Sequence, residues 1–445
     1  MNNTEYAHFK RALDFYRVDP DFRQDIQEDP SGAVKSLGLS FEDPELVRQG
    51  ITAISVKCGP DEETNPYAIE FNRRNSTVSA YVAHIHRREA FSCNEFFRFA
   101  DTVRNRCRME SQLIRLHGNI RYFPLCFELS IGCTVQCPFC GLNASHWREN
   151  FLYTPDNAAL WRAVLESAVD LLGPIAGSSP CYLATEPLDN PDYERFLADF
   201  FRITGQVPQT TTAVADRDIE RLRSLMRWIG EDRLREQASL RLSIRTKNQF
   251  FRIAEAFYPE ELADVELLPN NPESSSRYAD AGRARNCHTG KKANYPYSIC
   301  CVAGVRVNMA EHSLHFLEPE IPNDDFPLGI RMREKLLFTD AMDFRKKLAY
   351  LMEKWAVGLL PVDRPLMLNQ NCTVKQEEHA ILFLGDRIGY RIVSNDFTRQ
   401  TLQLLNGGRS LKQIQSALQL SAAWEDDYYS LMNQLFIRGY LRLRT

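Results

Sequence analysis

The rhythm of hydrophobic positions changes near residue 121. Before it, Phe9, Leu13 and Tyr16 recur at helical spacing and share one face. Asp19-Pro20 and Asp29-Pro30 punctuate that stretch, because proline is tolerated only in a helix's first turn. Ala33, Val34 and Leu37 run into Gly38, a helix stop. Residues 1–55 are thus predicted to be a region of short helices. Residues 56–120 read as a mixed, partly helical linker, whose His84, His86 and His117 lack the spacing of a metal site.

From 121 onward strands and helices alternate. The apolar, aromatic run 122–130 predicts a strand and the amphipathic run 157–172 a helix. Residues 181–184 read as a short buried strand, 192–201 as a helix, 206–212 as a strand and 218–228 as a helix. Further strands are expected at 240–244, 265–268 and 304–309. Such alternation predicts βαβ units and parallel pairing over 121–345. About six strands are available, fewer than an eight-stranded barrel needs. Residues 346–371, with Pro361 and Pro365, read as a connection. In 372–445, strands at 380–384 and 389–393 flank Gly385-Asp386, a hairpin signal, and helices follow at 396–405, 411–418 and 424–438. That order is a small winged-helix arrangement.

Composition bounds the class. At roughly 150 residues per domain, 445 residues suggest about three units. Hydrophobic residues at 44% and charged residues at 25% are ordinary for a soluble globular protein. A net charge of −4 makes no electrostatic case for nucleic acid. No apolar run reaches the ~18 residues of a membrane span. The first residues lack the apolar stretch of a secretory signal. The expectation is a cytoplasmic protein with neither membrane nor nucleic acid as partner. Twelve cysteines in such a chain argue against a disulfide framework and leave metal binding, thiol chemistry or burial.

Three of them concentrate the chemistry. Cys133, Cys137 and Cys140 form C-x3-C-x2-C in a loop that Gly132 opens directly after a predicted strand. Iron–sulfur clusters are held by cysteine thiolates, and a short loop lets three thiolates meet three irons of one [4Fe–4S] cluster. Zinc is the competing reading, but it wants four ligands, and Cys287 with Cys300-Cys301 supplies a second pair only awkwardly.

The motif resembles the radical S-adenosylmethionine (SAM) signature, with Phe139 at the aromatic position before the third cysteine. The resemblance implies SAM bound to the fourth iron, with Phe139 near the adenine. Cys181–Pro187 looks like a variant of the Gly-Gly-Glu-Pro segment that contacts SAM's amino group; Ala184 and Thr185 replace the glycines, and Glu186 is kept. Thr210 to Thr212, centred on Thr211, and Ser243 with Arg245 end later strands, where that family places ribose and carboxylate contacts. Open α/β sheets bind ligands at such strand ends.

Over the whole chain, the arrangement resembles the radical SAM peptide epimerases of ribosomal peptide maturation, the proteusin or polytheonamide type. The implied fold is α/β: a partial (β/α)6 radical SAM barrel with a helical N-terminal region and a C-terminal winged-helix peptide recognition element. The tail resembles the pyrroloquinoline-quinone-type recognition element, and residues 19–40 are similar to nitrile-hydratase-type precursor leaders. The implied partners are a precursor peptide with its leader and an external electron donor of flavodoxin or ferredoxin type. DNA binding by the winged helix is the alternative. Its last helix opens with Glu425, Asp426 and Asp427, and the middle one carries only Lys412, so a peptide added along the hairpin edge fits better.

The fate of the substrate radical narrows the reaction. Oxidative cross-linking commonly uses auxiliary clusters on a cysteine-rich extension, yet only Cys372 follows Cys301. Cobalamin-dependent methylation would need a further domain, and no Asp-x-His-x-x-Gly is present. Epimerisation is redox-neutral and requires one free thiol to return a hydrogen atom. Cys372, in a polar stretch between barrel and recognition element, is the expected donor, ahead of Cys300-Cys301; Cys126 and Cys181 lie in apolar strands and read as packing.

Overall fold

The computed structural model of the chain describes residues 1–56, 64–110, 123–274, 280–287, 302–320, 322–385, 389–405, 407–420 and 422–444. Side-chain caps start the N-terminal helices at the prolines. Asp19 accepts from the Asp21 amide ahead of helix Pro20–Glu28, and Asp29 accepts from the Gly32 amide ahead of Pro30–Ser36. With Asn3–Val18 and Pro44–Val56 these helices enclose their own core of Phe9, Leu13, Phe22, Ile26, Val47 and Ile51. Residues 56–120 are more helical than expected, with Pro66–Ile85 and Asn94–Glu110. The N-terminal bundle docks on the α/β part through Arg11, which donates to the Ala254 and Phe257 carbonyls at 2.7 and 2.8 Å.

The α/β part supplies the strands in chain order: β1 Phe123–Glu128, β2 Ser130–Ile131, β3 Glu149–Asn150, β4 Thr210–Thr212, β5 Leu240–Ile244, β6 Glu266–Pro269, β7 Val302–Asn308, β8 Ser313–Pro319 and β9 Ile330–Leu337. Strands β4, β5 and β6 pair in parallel. Strand β1 pairs in parallel with β7, and β8 and β9 continue that sheet antiparallel. Period-two alternation gives β1 two faces. Leu125 and Phe127 enter the main core with Trp161, Phe196 and Phe200 from helices Pro155–Leu172 and Tyr193–Thr204. Cys126 joins Phe123, Leu317 and Ile330 in a separate small cluster.

Residues 181–184 do not form the expected strand. They do run beside β1: the Phe127 amide donates to the Pro180 carbonyl at 2.9 Å. The next rung is diverted, because Pro180 has no N–H and the Ala184 amide donates to the Glu128 carboxylate at 2.8 Å.

The expected connection 346–371 is also reassigned in part. Helix Ala341–Trp355 runs through its first ten residues, and strand β10, Leu366–Leu368, pairs with the last strand of the chain, Leu441–Leu443. The two prolines hid a continuous amphipathic helix on one side and a three-residue strand on the other. The hairpin of the C-terminal unit gains a third strand: Thr373–Gln376 pairs with Ala380–Leu384, which pairs with Gly389–Val393. The extra strand is mostly exposed and polar, so it carries no hydrophobic alternation to read. Asp386 of the expected turn lies outside the described residues. Helices Asp396–Leu405, Leu411–Leu418 and Ala422–Ile437 then cover a second core of Ile381, Phe383, Leu402, Tyr428 and Tyr440. Glu320 joins the two parts, accepting from Arg331 of β9 and from Arg442.

Trp161 is fully buried in the main core and its Nε1 donates to the Phe196 carbonyl at 3.1 Å. Trp161→Ala removes a large side chain and a buried hydrogen bond, so a loss of about 3–5 kcal/mol is expected in chemical denaturation. A loss below 1 kcal/mol would contradict this packing.

Candidate active site

The cysteine loop follows β1 and β2. Gly132 opens it at φ +78°, and a Cβ there would lie 2.1 Å from the His146 carbonyl oxygen. The loop closes on itself, with the Cys133 amide donating to the Ser145 carbonyl at 2.9 Å. Gln136, at φ +49°, fills the interior: its side-chain amide donates to the Cys133 and Ser145 carbonyls, both at 2.8 Å. Arg283 braces it, Nε donating to the Cys137 carbonyl at 2.9 Å and Nη1 to the Ala144 carbonyl at 2.8 Å. Gly282 permits that approach, since a Cβ would meet the Gly141 oxygen at 2.4 Å. The Cys287 thiol also touches the loop, donating to the Pro138 carbonyl at 3.4 Å.

Cys133 is buried, and Cys137 and Cys140 are half-buried. Burial pushes the Cys137 thiol up to about 12, and the neighbouring Cys133 and Cys140 push the same way, whereas the Arg245 charge opposes. Burial raises Cys133 as well. Such thiols stay protonated at neutral pH unless a cation replaces the proton, and bound metal does this outright. Among the described residues no three His, Cys, Asp or Glu side chains converge on a point that would hold a single ion. Cysteine thiolates are the donors that hold iron–sulfur clusters, and Cys133, Cys137 and Cys140 would be the ligands here.

The expected SAM contacts fall in two groups. Glu186, 3% exposed, accepts from the Leu188 amide and the Thr212 hydroxyl on Oε1 and from the Ala213 amide on Oε2. One acceptor position on Oε2 is left over. Burial raises its carboxyl to about 7 against those three donors. Arg245 donates to the Ala213 carbonyl at 2.7 Å, and Glu186, Cys133 and Cys137 influence one another electrostatically, so Glu186, Arg245 and the cysteine loop share one end of the strands. Phe139 is half-buried within the loop.

Thr211 and Ser243 face away from the helix-packed core. The Thr211 and Tyr182 hydroxyls share a 2.5 Å hydrogen bond, and Arg241 donates to both at 3.0 Å. Ser243 accepts from Asn270 at 2.8 Å. The neighbouring Thr212 reaches Glu186 instead of this face, its hydroxyl donating to Oε1 at 2.7 Å.

Cys372 stands elsewhere. It is half-buried against the C-terminal core, and its amide donates to the Asn369 carbonyl at 2.9 Å. Burial pushes its thiol up to about 11. No contact among the described residues joins it to the cysteine loop. Cys58, Cys300, Cys301 and His117 lie outside the described residues; His86 is buried, its Nδ1 2.8 Å from the Val82 carbonyl oxygen.

Three residues escaped the sequence reading. Asp189 accepts from the Thr134 amide and hydroxyl at 2.9 and 2.7 Å and from Arg217 at 2.9 Å, anchoring the residue after Cys133. Glu128, 0% exposed, is the lone acid of the apolar run, a signal that was available. Arg283 lies 146 residues from Cys137, and nothing local marks it.

The chain is similar to "Uncharacterized protein y4wI" of Sinorhizobium fredii (strain NBRC 101917 / NGR234), 33% identical over 299 residues. That match takes in 62% of this chain and 58% of the relative's length. No family model matches the sequence, and no solved structure matches it. No helix of the described residues is long and apolar enough to cross a membrane.

Gly132→Ala should cost at least about 1 kcal/mol from the left-handed backbone alone, with the clash on His146 added. Thermal unfolding and the alkylation rate of Cys133 read this out. An unchanged melting midpoint with unchanged alkylation would refute the tight closure of the loop.

Proposed function

We propose that this chain is a cytoplasmic radical SAM peptide epimerase, converting L-residues to D-residues in a ribosomally made precursor. The observation that carries the reading is the cysteine loop: Cys137 lies electrostatically close to both Cys133 and Cys140, burial raises Cys133 and Cys137, and Glu186 and Arg245 stand beside them. The strand segments are consistent with a partial (β/α)6 barrel. They run β7, β1, residues 180–184, β4, β5, β6, with hydrogen bonds linking each neighbour to the next.

When bound, the [4Fe–4S] cluster and SAM supply a 5′-deoxyadenosyl radical, which takes the α-hydrogen of the target residue. The chain's own residues do the rest. Cys133, Cys137 and Cys140 hold the cluster. Glu186, through the free position on Oε2, and Arg245, Ser243 and Thr211 would offer polar contacts to SAM, and Phe139 would supply an apolar surface for it.

Cys372 returns a hydrogen atom to the opposite face of the carbon radical. Only a protonated thiol can do so, and burial holds this one as S–H far above neutral pH. The thiyl left behind is restored by one electron from a flavodoxin- or ferredoxin-type donor and one proton. The C-terminal unit, with its three-stranded sheet and three helices, binds the leader. Its last helix carries Glu425, Asp426 and Asp427 near its start, which suits a peptide better than DNA.

Anaerobically reconstituted protein is expected to bind about four irons and, once reduced, to cleave SAM to 5′-deoxyadenosine. The Cys133→Ala, Cys137→Ala, Cys140→Ala triple variant should do neither. SAM cleavage by that variant at the parent's rate would sink the assignment.

The decisive experiment is co-expression with candidate precursors in deuterated water, followed by chiral amino-acid analysis. D-residues carrying solvent deuterium at Cα are expected from the parent. Cys372→Ala should still form 5′-deoxyadenosine yet lose most of the D-product. Parent-like yields of deuterated D-residue from that variant would move the donor role to another thiol.

A further inference from the structure

Arg283 is almost fully used. Nε donates to the Cys137 carbonyl at 2.9 Å. Nη1 has three acceptors, the Ala144 carbonyl at 2.8 Å, Gln136 Oε1 at 3.2 Å and Asn143 Oδ1 at 3.3 Å. The residue's own amide donates to the Cys140 carbonyl at 2.9 Å. Nη2 is different: it is shielded from solvent and has no hydrogen-bond partner among the described residues. It carries two N–H donors on a permanently charged group. A buried polar atom without a partner calls for an explanation, and an ion or prosthetic group in its vicinity is one. Several other buried side-chain atoms lack partners, but none of their residues hydrogen-bonds to the cysteine loop.

We propose that Arg283 Nη2 donates a hydrogen bond to a sulfur of the cluster held by Cys133, Cys137 and Cys140, and so sets its reduction potential. The proposal rests on the cluster reading above. Its chemistry is electrostatic and moves no proton, because arginine stays charged in both redox states. Reduction adds one electron, whose charge spreads onto the sulfurs. A charged N–H donor aimed at a sulfur stabilises the reduced state more than the oxidised one, and hydrogen bonds to the sulfurs are a recognised determinant of cluster potential. Arg283 is therefore a positioning and tuning residue. Its Nε and Nη1 fix the loop, which fixes where Nη2 points.

The test is potentiometry on reconstituted holoprotein without SAM, followed by electron paramagnetic resonance. Arg283→Gln should bind as much iron as the parent and show a lower midpoint potential, and Arg283→Lys, which keeps the charge without the fork, should fall between. A loaded Arg283→Gln with the parent's potential overturns the proposal. Should Arg283→Gln fail to load, the parent alone decides. Grown with 15N-arginine, its reduced cluster should show a nitrogen coupling in pulsed resonance that survives Arg245→Lys. Absence of that coupling overturns the proposal. A parent that binds no iron defeats the cluster reading itself, a result distinguishable from both.

Discussion

The carboxylate of Glu128 ties together the segments around the site. It is fully buried near the end of β1. Oε2 accepts from Arg306 at 2.7 Å and from Asn308 at 3.0 Å, both on β7, and Oε1 accepts from the Ala184 amide. One side chain thus couples the strand leading to the cysteine loop, its parallel neighbour and the segment leading to Glu186. A buried ion pair of this kind contributes modestly as a pair, but removing one partner costs about 3–5 kcal/mol because a charge is left unpaired. The carboxylate also substitutes for a strand rung: Ala184 gives its N–H to a side chain, and residues 181–184 lie beside β1 without becoming a strand.

The loop above that anchor is held by backbone constraints more than by hydrophobic contact. Gly132 and Gly282 remove the two Cβ atoms that would collide with carbonyl oxygens of the loop. Gln136 and Arg283 both hydrogen-bond to the loop's carbonyls. The thiols are therefore placed before any metal arrives, and burial raises those of Cys133 and Cys137. Metal binding there releases protons and is correspondingly dependent on pH. Glu186 is set by the same logic, held by three donors that link its segment to the end of β4.

The C-terminal unit is separate in its packing. Its core shares no residue with the main one, but it takes in Met109 of helix Asn94–Glu110, and polar contacts such as Glu320 with Arg442 and Asn105 with the Ile437 carbonyl add to that junction. Cys372 belongs to this unit. The hydrogen-donor role proposed for it would require its S–H to reach the same carbon from which hydrogen is abstracted at the cysteine loop.

Local rules carried much of the architecture. Proline and aspartate caps fixed the N-terminal helix starts, hydrophobic periodicity placed most of the α/β helices, several of its strands and the last three helices, and cysteine spacing marked the loop, because each signal acts within a few residues of itself. The exposed strand Thr373–Gln376 and the strand Leu366–Leu368 were hidden, since their pairing depends on partners and not on their own pattern. The bracing of the loop by Arg283, the Glu128 junction and the pairing of Thr212 with Glu186 were decided only by tertiary structure. Each rests on contacts between residues far apart in the chain, or on which face a strand turns to its neighbours, and a single sequence encodes neither locally.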